Sequence, residues 1–355
     1  PMRVTTSTHA YPIHFEADAG VWIADAIAAT VSGRRIAIIT DENVAGLHVN
    51  AVRTALEATN RSVRVHVVPA GETSKSLGQA SRLYDALLVQ ELDRRDAVVA
   101  IGGGVVGDLA GFVASTFLRG IDFIQVPTTT LSCIDSSVGG KTGINTPRGK
   151  NLVGTFYPPK LVCIAGSHLK TLGTQEHAAG VAESIKVAAC LDMELFTQLA
   201  STMDRIMNFD MDALLPMLRR SVALKAHVVS EDEKEQGLRA VLNFGHTIGH
   251  AIERGHNYAI LHGEAVALGM IAEAEWADSE GISNGIARAL TGICASAGLP
   301  TEWRNHRVDV AALRLDKKRA GMSVTMPVVT TLGQFEFKTV PISAVSEFVS
   351  MRSTG

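Results

Sequence analysis

From residue 236 to 270 the chain reads QGLRAVLNFGHTIGHAIERGHNYAILHGEAVALGM, and Arg239, Asn243, His246, His250 and His262 stand in or beside apolar, helix-like sequence. Polar groups in such company need partners, because burying them without one costs free energy. His246 and His250 are four apart, which places both rings on one helix face, a turn apart. Neutral imidazoles in that relation can grip a divalent cation; two core histidines bonded to backbone carbonyls would have the same spacing. The metalloprotease pattern H-E-x-x-H is not met, since Thr247 follows His246 where that pattern has its general-base glutamate. His262, in LHGE, is a third candidate ligand. Glu183, in GVAESIK, is a fourth, because a carboxylate among small and apolar residues is rare unless paired or metal-bound. One carboxylate and two imidazoles would leave a coordination position open, as catalytic zinc sites do.

A second group of residues has the chemistry of anion binding. Gly102-Gly103-Gly104-Val105-Val106-Gly107-Asp108 contains G-x-G-x-x-G between a strand pattern and a helix pattern, where glycines let a phosphate approach backbone N–H groups. Tight strand-to-helix packing explains the glycines equally well, and the motif is not in the first βα unit. The expectation is a dinucleotide held otherwise than in the standard Rossmann mode. Residues 128–154 are rich in hydroxyls, glycines and lysines with little periodicity, which reads as a long functional loop. Lys141, Lys150 and Asn151, with Arg119 upstream, either bind an anion there or are solvated surface groups. Further on, Lys186 shares a helix face with Glu183, and Lys225, Arg239 and Lys317 or Lys318 add charge. So many cations near candidate ligands, in a chain of net charge −3, point to a cleft for a small, strongly anionic substrate.

These residues need elements to hold them. YPIHFEA alternates as a strand; RRIAIIT, SVRVHVV, DAVVAIG, DFIQVP and KLVCI read as further strands, with helix patterns such as VNAVRTALEAT, ASRLYDALLVQ and DLAGFVAST between them. Strand-then-helix order predicts an α/β fold: a doubly wound, Rossmann-like, mostly parallel sheet in residues 1–172. Ligands of such sheets sit beyond the carboxyl ends of the strands, where Asp41, Glu72 and Gly102 fall. After Leu172 the pattern is helical almost throughout, so residues 173–355 are expected to form an all-helical second domain.

Composition excludes other classes. The 355 residues are 46% hydrophobic, enough for two domains with a substantial core. The near-neutral charge argues against nucleic-acid and membrane-surface partners. Cys133, Cys163, Cys190 and Cys294 are scattered without C-x-x-C spacing, as expected of reduced, buried thiols. No apolar run reaches membrane-spanning length and no signal-peptide succession opens the chain, so the expected setting is cytoplasmic.

Taken in order, GGGVVGDLAGFVASTFLRG, VPTTTLSCIDSSVGGKTGIN, GKNLVGTFYPP, GVAESIK, LRAVLNFGHTIGHAIE, LHGEAVALGM and LDKK closely resemble the 3-dehydroquinate synthase family of the sugar phosphate cyclases, over about residues 10–340. The resemblance implies a lyase dependent on NAD and zinc, with cobalt an equally suitable metal. It would convert 3-deoxy-D-arabino-heptulosonate 7-phosphate to 3-dehydroquinate and phosphate, in the shikimate pathway of aromatic amino-acid biosynthesis. Transient oxidation, phosphate elimination, re-reduction and intramolecular aldol closure would regenerate NAD at each turnover. Motif match implies Glu183, His246 and His262 as metal ligands, with His250 a neighbour of the substrate phosphate instead. NAD would contact Asp41, Glu72 and Lys75, then Gly103, Gly104, Val105 and Asp108 at its pyrophosphate, with Thr128, Thr129, Asp135, Lys141, Lys150 and Thr171 around the remainder. Substrate ligands fall on Arg119, Lys141, Asn151, Lys186, Lys225, Arg239, Asn243 and His250, with Lys318 or its neighbour Lys317 closing the site.

The family often forms homodimers, with the arginine at position 119 reaching across the interface. Departures from the family pattern, such as Gly173 where proline is usual, touch none of these positions and leave room for a paralogue. The rivals are an aminodehydroquinate synthase, a cyclase making 2-deoxy-scyllo-inosose or a valiolone, a metal-dependent polyol dehydrogenase, and a non-enzymatic binding module. Arg239 beside Lys225 favours a substrate bearing a carboxylate.

Overall fold

The structure, a computed structural model, describes residues 1–6, 9–311 and 323–352. The chain divides into two compact units, Pro1–Leu172 and Gly173–Gly355.

In the first unit a seven-stranded sheet is ordered β1-β2-β9-β6-β5-β3-β4. Its strands are β1 (Met2–Thr5), β2 (Ala10–Glu16), β3 (Arg35–Asp41), β4 (Ser62–Val68), β5 (Ala97–Gly102), β6 (Asp122–Pro127) and β9 (Leu161–Ala165). Only the β1–β2 pair is antiparallel. Four helices cover the sheet: α1 (Val21–Thr30), α2 (Asn50–Ala58), α3 (Leu77–Val89) and α4 (Gly104–Thr116). Successive side chains of a strand point to opposite faces, and β3 shows why it is an unbroken apolar run. Ile36 and Ile38 pack with Ile23, Ile27 and Leu56 on one side, while Ala37 and Ile39 pack with Leu83, Leu109 and Val113 on the other. Both faces are covered, as a parallel sheet requires. Strand order reverses between β3 and β5, so a ligand crevice is expected where their carboxyl ends part.

Residues 128–154 are not the structureless loop expected from composition. They contain a helical turn, Ser132–Ser136, and a two-stranded hairpin, β7 (Lys141–Thr146) and β8 (Gly149–Phe156), paired from Lys141↔Phe156 to Thr146↔Gly149 with a register shift between Ile144 and Thr146. β8 is exposed along nearly its whole length, so it carries none of the buried-face alternation by which strands are recognised.

The second unit is built on α5 (Thr174–Leu191), α6 (Met193–Met207), α7 (Met211–Glu231), α8 (His246–Gly255), α9 (His262–Ser279), α10 (Ile286–Ser296) and α11 (Ile342–Arg352). It is helical, as expected, but not wholly so. A hairpin of β10 (Ser323–Thr331) and β11 (Gln334–Pro341) turns at Leu332-Gly333, with Gly333 at φ +82°. Leu332-Gly333 is not one of the Asn-Gly or Asp-Gly pairs that mark two-residue hairpins, and Met326, Val328 and Val329 are among the residues the hairpin buries.

All four cysteines are free and buried; burial pushes the thiols of Cys163 and Cys294 up to about 12. Among the described residues no helix is long and apolar enough to cross a membrane.

Candidate active site

Three helices of the second unit bring the acidic and imidazole groups together, and glycines set how closely they approach. A Cβ on Gly263 would stand 1.8 Å from the carbonyl oxygen of Ala179, so only glycine lets the start of α9 meet α5. Gly245 sits at φ +78° before α8, and a Cβ there would meet Met270 Cγ at 2.5 Å. The sequence NFGH thus encodes a left-handed residue and a helix-helix contact in one position. Gly245 has no side chain to cap α8. That role falls to Glu273 of α9, whose carboxylate accepts from the N–H groups of Gly245 (2.8 Å) and Ile248 (3.0 Å). Burial pushes its carboxyl up to about 8, against those hydrogen bonds.

The result is a cluster in which a carboxylate oxygen of Glu183 and one ring nitrogen each of His246 and His262 lie within 4.8 Å of one another. Glu183 is 2% exposed. Its Oε2 pairs with Lys186, and its Oε1 is buried with no hydrogen-bond partner, 3.7 Å from His262 Nε2. A buried anionic oxygen left unpaired is costly, and a cation is the group that would satisfy it. Both rings are turned for that. His246 Nδ1 faces the carbonyl of Phe244 at 3.1 Å, and His262 Nδ1 faces Glu253 Oε1 at 3.2 Å. With the proton on each Nδ1, each Nε2 keeps a lone pair. Burial, together with the charges of Lys186 and the neighbouring histidines, holds His246 well below its ordinary value, hence neutral. For His262 burial works downward, but the bond to Glu253 and the charge of Glu183 raise it overall. Donor set and orientation therefore fit zinc or cobalt. His250 is not one of the three: it is exposed and groups with Glu253 and His262.

The other expected substrate ligands of this unit are placed as follows. Lys186 and Lys225 are buried, on α5 and α7. Arg239 is 4% exposed on a helical turn, Leu238–Asn243. Its backbone N–H donates to Asp232 Oδ2 (3.0 Å) and its Nη1 to the carbonyl of Glu233 (2.6 Å). Asn243, exposed at the end of that turn, donates from Nδ2 to Glu235 Oε1 at 2.8 Å. Lys317 and Lys318 lie outside the described residues. Sequence reasoning missed Glu253 and Glu273. Both were detectable by the argument that singled out Glu183, since Glu273 stands among Met270, Ile271, Ala272 and Ala274, and Glu253 is on the face of His246 and His250.

In the first unit the expected nucleotide groups line the carboxyl edge of the sheet. Asp41 ends β3 and accepts from Asn43 and Val44 N–H at 2.9 and 3.0 Å. Gly103 precedes α4 without a side-chain cap, leaving N–H groups for an anion. A Cβ on Gly103 would lie 3.0 Å from Thr129, and one on Gly104 3.1 Å from Ser136 Oγ, so larger residues would crowd this turn; Val105 follows in the first turn of α4. Buried polar atoms without partners, Thr40 Oγ1, Thr128 Oγ1, Ser136 Oγ and His168 Nδ1, follow or end β3, β6 and β9. Such atoms fit a polar ligand. Thr171 exchanges a hydrogen bond with His48 at 2.8 Å.

Lys75 is the hub of a polar cluster here. Its Nζ donates to Asp108 Oδ2 at 2.7 Å and also to Asn151, while Glu72 accepts from Asn145 at 2.7 Å. Burial raises the Asp108 carboxyl and the Lys75 charge offsets part of that. Asn151, expected beside substrate, is tied to the nucleotide set through this lysine. Lys141 and Lys150 are exposed on the hairpin, Asp135 is half-buried on the preceding turn, and Arg119 is exposed at φ +65° after α4.

Glycines before α4 at a strand-order reversal in one unit and a Glu/His/His cluster in the other are features of the class of enzymes that use a nucleotide and a divalent cation. Comparison supplies the family. Two family models match, 3-dehydroquinate synthase N-terminal over residues 65–179 and 3-dehydroquinate synthase C-terminal over residues 180–319. The 3-dehydroquinate synthase of Desulforamulus reducens is 46% identical over 303 residues, covering 85% of this chain and 84% of its own. That of Caldanaerobacter subterraneus is 42% identical over 95% of this chain and 96% of its own. Among solved structures, the 2-epi-5-epi-valiolone synthase of Streptomyces hygroscopicus, with NAD+ and Zn2+ bound, is 27% identical with a TM-score of 0.86, covering 96% of both chains. The chain belongs to the 3-dehydroquinate synthase family.

Proposed function

We propose that this chain is a cytoplasmic 3-dehydroquinate synthase, dependent on NAD and on zinc or cobalt, that converts 3-deoxy-D-arabino-heptulosonate 7-phosphate to 3-dehydroquinate and phosphate. The observation that carries the reading is the unpartnered, buried Glu183 oxygen beside His246 and His262, in a chain of this family. When bound, NAD supplies a reversible hydride acceptor and the cation a Lewis acid for ring hydroxyls. The chain's own residues do the rest by position and charge. Arg239 can grip the substrate carboxylate bidentately, with Lys225 adding a second positive charge. In the second unit, Asn243 and His250 are the groups for the phosphate dianion. Held in place, that dianion can take the neighbouring proton itself as it leaves, so no separate base is required. The exposed Arg119 suits a role toward a second copy in a homodimer.

The structural likeness to a valiolone synthase favours, as a second reading, a cyclase acting on a sugar phosphate without a carboxylate. The buried Arg239 and the higher identity to dehydroquinate synthases weigh against it. The test mixes the protein, NAD, zinc and the heptulosonate phosphate. Phosphate release without net NADH is expected. Stoichiometric accumulation of NADH would mean a polyol dehydrogenase, and turnover only of a carboxylate-free sugar phosphate would favour the second reading.

A further inference from the structure

We infer that Glu253 is a positioning residue for the cation site, fixing His262 with its Nε2 toward Glu183 and linking that ring to His250. The inference rests on the metal reading above. Glu253 follows His246 by seven residues and His250 by three on α8, so the three side chains share a helix face. Its carboxylate is buried, with Oε1 3.2 Å from His262 Nδ1 and Oε2 3.9 Å from His250 Nε2. His262 thus stands between two carboxylates, one at each ring nitrogen.

The two are not equivalent. Glu183 and Glu253 each belong to a three-residue group able to hold a cation, and His262 is common to both. The unpartnered buried oxygen is on Glu183, and His246 joins that side only. A cation therefore belongs with Glu183, and Glu253 becomes the acceptor behind the ligand. An acceptor at Nδ1 selects the tautomer with a lone pair at Nε2, stops the ring from turning and strengthens it as a donor. Without it, either nitrogen of His262 could carry the proton and the ring would be held at one end only.

The experiment measures zinc and cobalt affinity of the full chain by competition with a chromophoric chelator, in the wild type, Glu253→Gln and Glu253→Ala. Folding is followed by circular dichroism and ligand geometry by the visible absorption of the cobalt form. Glu253→Ala should bind metal about 10–100-fold more weakly. Glu253→Gln, which keeps an acceptor oxygen, should lose less, and both should shift the cobalt bands. Folded variants with wild-type affinity and unchanged bands would overturn the assignment. If the alanine variant does not fold, the glutamine variant decides by the same two readouts. A wild-type chain that takes up no cation would overturn the metal reading together with this one, whereas a binding wild type with indifferent variants would sink the role of Glu253 alone.

Discussion

The helical unit and the sheet unit hold their polar groups in opposite ways. In the helical unit Glu183, His246 and His262 stand on three packed helices, and the far side of each group is already held by Lys186, the Phe244 carbonyl or Glu253. In the sheet unit Lys75, Asp108, Glu72, Asn145 and Asn151 stand on turns, a helix and an exposed hairpin, and hold mainly one another. Side chains supported from behind on rigid elements are preorganised. Side chains bonded to each other must exchange partners when a ligand arrives, and that exchange subtracts from affinity. The difference teaches that one fold can keep a fixed centre for a small cation and an adaptable edge for a long nucleotide.

The largest effect should come from the fixed centre. His262→Ala is expected to lose the cation and at least about 1000-fold in turnover, consistent with several kcal/mol of charge stabilisation. Elemental analysis checks it, and full metal content in the variant would break the contrast. Arg239→Ala should cost about 100-fold in kcat/KM, the scale of charge-assisted hydrogen bonds. The loss should be far smaller for an analogue lacking the carboxylate, and equal losses would show that Arg239 does not read that group.

Two stability measurements sharpen the contrast further. Glu273 is raised from its ordinary 4.5 to about 8. The stability it contributes is complete below about pH 4.5 and is lost as pH rises through about 8. Glu273→Gln lacks this dependence, so its stability relative to wild type should improve by a few kcal/mol from pH 5 to 8, read from urea unfolding at each pH. Parallel pH profiles would show that the carboxylate stays ionised under the helix N-terminus. The smallest effect is expected at the adaptable edge. Asp108 is also raised, and Lys75 lessens the rise. Lys75→Met should therefore cost more at pH 8 than at pH 4, by roughly 1–2 kcal/mol because the Asp108 side chain retains solvent. Thermal melts showing the same loss at both pH values would contradict this.

Much of the architecture was legible because both faces of the sheet are covered. RRIAIIT and DAVVAIG read as buried strands, and Asp41 after the first and the glycines after the second marked the ligand edge. The β7–β8 hairpin was hidden because an exposed two-stranded ribbon needs no apolar face, and β10–β11 because it follows a long helical succession. At the site, spacing alone pointed to His246 with His250. Which histidine joins His246 depends on the packing of α9 against α8 and α5, set by Gly245 and Gly263, and no periodicity within one helix reports that. Family motifs chose His262 over His250 as the ligand, and Glu253 and Glu273, marked in the sequence by their apolar surroundings, reveal which groups they hold only in the fold, because those partners lie on another helix or across a turn.

The four sequestered cysteines give the molecule a practical property. With Cys163 and Cys294 pushed to about 12 and every native thiol out of solvent, alkylating dyes and spin labels should ignore the natural chain. A single cysteine introduced at an exposed site, such as Leu152 on the hairpin, would then take up a probe by itself.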